Sequence, residues 1–431
     1  MRVFRRYLSV VSLLAVIRNP SIRRAYVILK KNESLERSEL LMLQEEKLRV
    51  LLKYARRNSS YYRDRLADID LDSTALRQEF DKIAISQKVD LIENSKDIQV
   101  KLGFRKFYSA TSGTSGQRLS FFKSERWDSY HRASIARGYS WHGVFIDDFR
   151  LYFWGHSFDF VKLFKTRLQD LLYSRVRLLS FKENDFKRVA RLHKKIVVIE
   201  GYSSVVSEFA HFCLKNKIEF PKLKLVKGTS EVIHETYRDI VRKAFNLPLV
   251  SEYGSAEAGI ISFECQHGNN HVNMDNVLLE EIEGEVVVTN LNSFGFPIIR
   301  YSLGDYILLE QNKSCKCGLD TDIITEIKGR VGYTIYGKNS HYPSLILYNI
   351  FKQVNKKHNI GLNYYAVQNK VGELEIYLKS ERVLNRKVLH SIVKDEFINF
   401  DVNDVELVFK DWVDNGRKSG KFRDFYPLNH A

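Results

Sequence analysis

The sequence predicts an α/β protein, with a large N-terminal domain of mixed sheets and helices and a small α+β C-terminal domain. Three observations point there. Strand-like and helix-like segments alternate through the middle of the chain, short strands with turns follow from Val277 to Leu309, and Gly329-Arg330-Val331-Gly332 breaks the pattern before a compact tail. A length of 431 residues corresponds to two or three domains at about 150 residues each. The content of 44% hydrophobic and 28% charged residues excludes a disordered chain. Four cysteines in this length exclude a disulfide framework.

Residues 1–33 read as a basic amphipathic segment. Arg2, Arg5, Arg6, Arg18, Arg23, Arg24, Lys30 and Lys31 meet no acidic residue before Glu33, and they supply half of the net charge of +16. Val3, Phe4, Tyr7, Val10, Val11 and Leu14 recur at helical spacing. The apolar run Tyr7–Ile17 is shorter than the roughly 20 residues of a membrane span. Arginines stand where a cleaved leader would end, and no small-x-small site is present. Two placements stay open for residues 1–31: an anionic membrane surface, with each basic residue contributing about 1 kcal/mol, or a helix packed on its own domain. The chain is expected to be cytoplasmic, peripheral on the inner face of the cytoplasmic membrane under the first placement. Nucleic acid is not an expected partner, because zinc-finger spacing, an aromatic RNA-binding signature and a helix-turn-helix pattern are all missing.

Residues 34–328 read as the large domain. Ser34–Leu66 is helical, with Leu40, Leu43, Leu48, Leu51, Leu52 and Tyr54 on one face. Lys101–Lys123 starts as a strand, passes through a Ser/Thr/Gly loop and ends in a second strand. Strands over RLYFW, KIVVIEGY, LKLVKG and LPLVSEYG then alternate with helices over Ser204–Lys215 and His234–Phe245. Residues 329–431 contain a hairpin over Leu362–Leu378 turning at Lys370–Gly372, a helix over Arg382–Phe400 and a strand over Val405–Phe409.

The loop Ser109-Ala110-Thr111-Ser112-Gly113-Thr114-Ser115-Gly116-Gln117 holds five hydroxyls and two glycines. Such a run lets backbone N–H groups and hydroxyls cradle an anion, although the Gly-Lys-[Ser/Thr] ending of a P-loop is absent. It resembles the phosphate loop of the adenylate-forming enzymes: acyl-CoA synthetases, peptide-synthetase adenylation domains and luciferases. Four further segments match that superfamily in order. Ser251-Glu252-Tyr253-Gly254-Ser255-Ala256-Glu257 is similar to its Tyr-Gly-x-x-Glu segment, Arg300–Asp305 to its Tyr-x-x-Gly-Asp segment, Gly329-Arg330 to its hinge, and Ser419–Arg423 to its C-terminal Gly-Lys-x-x-Arg loop. The helix ending KYARRNSSYYRDRL, the run Phe296–Arg300 and Glu200-Gly201-Tyr202-Ser203-Ser204 resemble the phenylacetate–coenzyme A ligase-like branch, which includes capsular-polysaccharide-biosynthesis relatives.

The resemblance implies ATP and Mg²⁺ as cofactors and attack of a carboxylate on the α-phosphorus, a problem of neutralising negative charge. It assigns Thr111, Ser112, Gly113, Thr114, Ser115 and Gly116 to the β/γ-phosphates and Glu257 to magnesium, which favours hard oxygen ligands. Tyr253, with Gly254 and Ser255 beside it, is assigned to the adenine. Gly228, Thr229, Ser230 and Glu231 line the base, and Asp305 accepts the ribose hydroxyls. Arg330 contacts ribose or phosphate, and Lys421, carried on a mobile C-terminal domain, bridges the acyl carboxylate and the α-phosphate. Trp154, His156, Tyr202 and Ser203 line the acyl pocket, which suits a small or polar acid. The acceptor is coenzyme A, a carrier-protein thiol or an amine. Two departures stand out: Gln117-Arg118 replaces the usual Lys-Pro, and Gly332 replaces the usual hinge Asp. An aryl acid–coenzyme A ligase and a catalytically lapsed nucleotide-binding scaffold remain the alternatives.

Cys315-Lys316-Cys317-Gly318 places two thiols on one turn, and Cys265 precedes His271 by six positions. Cys₃His is a closed zinc set, so Cys265, His271, Cys315 and Cys317 are candidate structural zinc ligands, with His267 as an alternative fourth. Buried free thiols or a redox pair are the other readings. Cys213 reads as core.

Overall fold

The computed structural model describes residues 10–103, 105–111, 119–154, 170, 173–178, 181–330, 333–380, 385–413 and 424–428. Helices α1 (Val10–Arg18), α2 (Ile22–Asn32), α3 (Arg37–Asn58), α4 (Ser60–Arg65), α5 (Leu76–Asp81), α6 (Lys88–Glu93) and α7 (Ser95–Ile98) lead to the hairpin β1 (Lys106–Ala110) and β2 (Ser120–Ser124). Then come α8 (Glu125–Trp141), β3 (Arg150–Phe153), β4 (Arg175–Leu178), α9 (Glu183–Ala190), β5 (Val198–Tyr202), α10 (Ser203–Lys215), β6 (Leu225–Thr229), α11 (Glu235–Phe245) and β7 (Leu249–Ser255). A strand-rich stretch follows: β8 (Gly259–Glu264), β9 (Asn270–Val272), β10 (Val277–Ile282), β11 (Glu285–Asn290), β12 (Tyr301–Glu310) and β13 (Ile323–Arg330). The tail comprises β14 (Thr334–Tyr336), β15 (His341–Pro343), α12 (Leu345–His358), β16 (Leu362–Lys370), β17 (Glu373–Ser380), α13 (Arg386–Asn399), β18 (Glu406–Asp411) and β19 (Phe425–Tyr426).

Among the described residues, one sheet runs in the order β10-β11-β12-β13-β9-β8-β7-β6-β5-β3-β4. Its β7-β6-β5-β3-β4 half is parallel and the remainder antiparallel, which is the mixed α/β architecture the sequence predicts. Leu151, Phe153, Ile199 and Val226 on the parallel strands bury one face against Phe186, Val205, Phe209 and Val241 of α9, α10 and α11. The tail has its own core, with Phe351, Val354, Tyr364, Ile376 and Phe397 around a β18-β17-β16-β19 sheet. Helix α12, for which the sequence carried no expectation, supplies Leu347, Ile350 and Phe351 to it.

The helix expected over Ser34–Leu66 is broken in two. Ser59 turns extended (φ −122°, ψ 126°), its hydroxyl caps α4 by accepting from the Tyr62 N–H, and it donates to the Asp97 carbonyl at 2.7 Å. A serine at an N-cap competes with helix continuation through such a bond.

The N-terminal segment takes the domain-packed placement over α2. Ile22, Ala25, Tyr26 and Leu29 lie on one stripe and bury against Tyr130, Ala133 and Ala136 of α8. Arg18 pairs with Asp128 at 2.6 Å and sits 4.2 Å over the Phe107 ring, so a residue from the basic segment is fastened to the domain by charge and stacking. Leu13 and Ile17 of α1 stay outward, 56% and 59% exposed. No helix among the described residues is long and apolar enough to cross a membrane. Leu29→Ala is expected to lower the unfolding free energy by about 2–5 kcal/mol in urea titrations, because the leucine is fully buried. Val27→Ala, at 61% exposure on the same helix, is expected to change it by less than about 0.5 kcal/mol.

Candidate active site

Parallel strands place their carboxyl ends along one edge, where open α/β sheets gather ligands. Trp154, Tyr202, Thr229 and Ser255 all stand at that edge, opening into a cleft of about 3460 Å³ lined by residues of the large sheet, of α8 and of the C-terminal tail.

The residues assigned to a nucleotide come together in this cleft. The Tyr253 hydroxyl donates to Asp305 Oδ2 at 2.8 Å, which orients a carboxylate oxygen at the cleft wall. Asp305 on β12 stands opposite Arg330 on β13; the arginine side chain lies outside the described atoms. Gly228 lies next to the end of β6, where a Cβ would lie 2.6 Å from Ser203 Oγ, so only glycine allows the strand to approach α10 this closely. Ser230 then adopts φ +67°, and the Glu231 carboxylate accepts from the Ser204 N–H at 2.9 Å. The Glu231 side chain therefore also braces the start of α10 while the residue lines the cleft.

Glu257 is buried and accepts from the Tyr301 hydroxyl at 3.2 Å. Lys123 on β2 shares its surroundings. Burial lowers the Lys123 pKa to about 8, against the pull of Asp128 and Glu257. Lysine 123 was not singled out in the sequence, yet Leu119, Phe121 and Lys123 alternate on the buried face of β2, and that period-2 pattern was the available signal. Thr111 closes the neck of the β1–β2 hairpin, its hydroxyl accepting from the Leu119 N–H at 3.1 Å. Ser112, Gly113, Thr114, Ser115, Gly116 and Arg118 lie outside the described residues, as do His156, Gly332 and Lys421.

On the expected acyl side, the Trp154 and Tyr202 rings stack at 4.8 Å (18°), and Trp154 stacks on Tyr152 at 5.7 Å (8°). Burial, reinforced by Glu231, raises the Tyr202 pKa to about 12. Ser203, fully buried, donates to the Glu231 carbonyl. Beneath the aromatic stack lies an ionic cluster that the sequence reading missed. Lys227 Nζ on β6 contacts Glu200 on β5 at 3.0 Å and Glu252 on β7 at 2.7 Å, while the Tyr139 hydroxyl of α8 donates to Glu200. Burial opposes the Lys227 charge, but Glu252, Tyr139 and Glu200 outweigh it and hold the pKa well above the ordinary lysine value. Its trace in the sequence is one charge interrupting each of VIEGY, LVKGT and LVSEYG.

No protein-family profile matches the chain. Protein CapK of Staphylococcus aureus is 23% identical over 365 residues, covering 80% of this chain and 79% of that protein. A 2-hydroxyisobutyryl-CoA ligase in its postadenylation state, in complex with R3-HIB-AMP, superimposes with a TM-score of 0.72 at 14% identity over 92% of this chain and 91% of that one. The chain shares that ligase's fold. The same ligase in its thioesterification state, with 2-HIB-AMP and CoA, scores 0.60 at 15% identity over 93% of this chain and 92% of that one. Both the large domain and the C-terminal tail thus share in the aligned region, and the lower score goes with that ligase's thioesterification state.

The two lobes touch beside the nucleotide-type residues. His234, just before α11, approaches Asp424 at 3.5 Å, and Thr236 donates to Asn363 at 2.7 Å. Asp424 follows Lys421 by three residues in the sequence, and its contact with His234 ties this part of the tail to the cleft wall. Burial works against protonation of His234, but the charge and hydrogen bond of Asp424, with Glu231, raise its pKa above the ordinary histidine value.

The four expected metal ligands converge. Cys265 Sγ, His271, Cys315 Sγ and Cys317 Sγ offer ligand atoms all within 4.8 Å of one another. Cys265 and Cys315 sulfurs are 3.7 Å apart, close to the roughly 3.8 Å edge of a tetrahedron with 2.3 Å zinc–sulfur bonds. His271 Nε2 lies 3.2 Å from Cys317 Sγ, while its Nδ1 is held by Thr321 at 2.9 Å, the outer-shell bond that orients a ligating imidazole. Burial lowers the His271 pKa to about 4, keeping the ring neutral as ligation requires. The donor set therefore fits a closed zinc site, with His271 rather than His267 as its fourth member. Cys213 is core, its pKa raised by burial.

A raised folded-state pKa stabilises below the unfolded value of about 6.5 and loses that contribution as pH rises through the folded pKa. The stability difference between wild type and His234→Asn is therefore expected to be largest below about pH 6.5 and to vanish in alkaline buffer, read by thermal melts across pH.

Proposed function

We propose that the protein is an ATP-dependent ligase that adenylates a small or polar carboxylic acid and transfers the acyl group to a thiol or amine. The observation that carries this is the convergence of Tyr253–Asp305, Glu257, Lys123 and the Gly228–Glu231 turn on one interlobe cleft in the adenylate-forming fold.

A carboxylate oxygen of the acid bonds to the α-phosphorus while the bond to the bridging oxygen breaks, releasing pyrophosphate and leaving an acyl-adenylate. Asp305, steadied by Tyr253, accepts from the ribose hydroxyls, since its two carboxylate oxygens suit a diol. Tyr253 and the Gly228–Glu231 turn enclose the base. Thr111 and the loop of residues 112–116 bind the β/γ-phosphates. Lys123 adds a buried cation on the same wall, in a position to take the part that the missing Lys-Pro leaves open. Mg²⁺, held by Glu257, supplies further neutralisation of phosphate charge. Lys421 bridges the acid and the α-phosphate, and Arg330 steadies the ribose or phosphate. Attack by the acceptor on the acyl carbon then expels AMP. The likeness to a ligase solved with CoA favours a thiol acceptor, and the resemblance to capsular-polysaccharide-biosynthesis relatives supports a place in surface-polysaccharide synthesis. Zn²⁺ is proposed as a structural ion held by Cys265, His271, Cys315 and Cys317.

Lys421→Ala is expected to cut ATP–pyrophosphate exchange by about 100-fold or more while changing the ATP Kd by less than about threefold, measured by calorimetry. Equal loss of binding and exchange would count against the bridging role. The purified protein is expected to carry one zinc per chain by elemental analysis. Cys317→Ser should lose that metal and melt at lower temperature, whereas a metal-free wild type of undiminished stability would overturn the zinc assignment.

A further inference from the structure

A parallel sheet covered on both faces normally presents hydrophobic side chains to each. The face toward α9, α10 and α11 obeys this, with Leu151, Phe153, Ile199 and Val226. The face toward α8 does not. Register places Arg175 beside Arg150, and Arg177 beside Tyr152, which in turn stands beside Glu200 and then Lys227. A band of charge thus crosses four adjacent strands on one side of the cleft, and Arg150, Tyr152, Arg175, Arg177, Glu200 and Lys227 all line it.

The charges on this band do not cancel. Among the described residues, Asp170 alone serves both Arg175 and Arg177, accepting from Arg177 at 3.1 Å. Arg150 bonds to the Ile146 carbonyl, stands 5.1 Å over the Tyr139 ring and makes no ion pair with a described carboxylate. The Nε atoms of Arg150 and Arg177 are buried without a hydrogen-bond partner. Lys227 is already shared between Glu200 and Glu252. Among the described residues, four cations therefore meet three carboxylates. Surplus positive charge held among buried side chains costs free energy, and an anionic ligand in the cleft these residues line offsets that cost. Arg177 lies level with Tyr152, two residues below Trp154, a depth of about 7 Å from the carboxyl edge at 3.3 Å per residue.

We propose that the acid adenylated here carries a second anionic group, carboxylate or phosphate, received at its far end by Arg177, Arg150 and the Tyr152 hydroxyl. This deepens the adenylation reading and rests on it. An aryl or fatty acid leaves the guanidinium donors unsatisfied and buries apolar surface against charge, so the band discriminates against both.

The test is ATP–pyrophosphate exchange by the full chain with glutarate, adipate and 3-phosphoglycerate, set against butyrate, phenylacetate, octanoate and glucuronate. The first three carry a far anionic group, and the last is hydroxylated with none. Doubly anionic acids are expected to give kcat/KM at least about tenfold above the singly charged ones. Adipate against 3-phosphoglycerate separates a carboxylate from a phosphate. Arg177→Gln should lower the ratio of doubly to singly charged acids by about tenfold through KM, and Arg177→Lys should restore part of it. A ratio taken on one enzyme sample is insensitive to partial misfolding. Exchange favouring phenylacetate, octanoate or glucuronate, or a Gln variant that slows both classes equally, would overturn the second-anion proposal. So would silence with every acid while ATP binds by calorimetry. Failure to bind ATP at all would instead overturn the adenylation reading beneath it.

Discussion

The buried ammonium of Lys227 sets the geometry of the cleft floor. It draws Glu200 and Glu252 from the two flanking strands to one point, and Tyr139 of α8 closes the cluster by donating to Glu200. Three adjacent strands and the helix above them are thus joined by charge as well as by the backbone ladders and the buried apolar face. Such a cluster is weak evidence for net stability, since desolvating its members opposes their attraction. Its consequence is positional: the carboxyl ends of β5, β6 and β7 are held in step, and the Gly228–Glu231 turn and Tyr253 emerge from those ends.

A second constraint lies at the amino terminus. Helix α2 fills the outer side of α8, while the inner side of α8 faces the cleft. Arg18 reaches Asp128, and Asp128 is held ionised by Arg132 and Arg18 against the penalty of burial. Arg137, two residues before the Tyr139 that touches Glu200, forks onto Asp275 with both terminal nitrogens, and Asn32 at the end of α2 donates to the same carboxylate. The basic segment is in this sense part of the wall that shapes the site. Its apolar residues divide, with Ile22 and Leu29 inward and Leu13 and Ile17 outward.

Much of the candidate site was legible because its residues sit in short runs with a local reason. Glycine 228 must pass close to Ser203, Asp305 follows a glycine at φ +67°, and two thiols share one turn at Cys315 and Cys317. Local chemistry of that kind is written in neighbouring letters. Lys123, Glu200 and Lys227 were not legible in the same way. Each is a single charged letter in an apolar strand, and only the strand order gives it partners. The break at Ser59 was missed for a related reason: a helical stripe continues across it, while the bond that ends the helix reaches Asp97, far along the chain.

By itself the sequence determined the alternation of strands and helices, the compact tail and the four metal-type ligands, since periodicity and spacing act within a few residues. Tertiary structure alone decided which side chains meet. Pairing β3 with β4 put Arg177 beside Tyr152, and pairing β5 with β6 put Glu200 beside Lys227. It chose His271 over His267 for the sulfur cluster. It also turned half of the basic segment inward onto α8. Each of these depends on contacts between residues distant in the chain, whose energy comes from burial and Coulomb attraction across strands, and no local pattern encodes that partner choice.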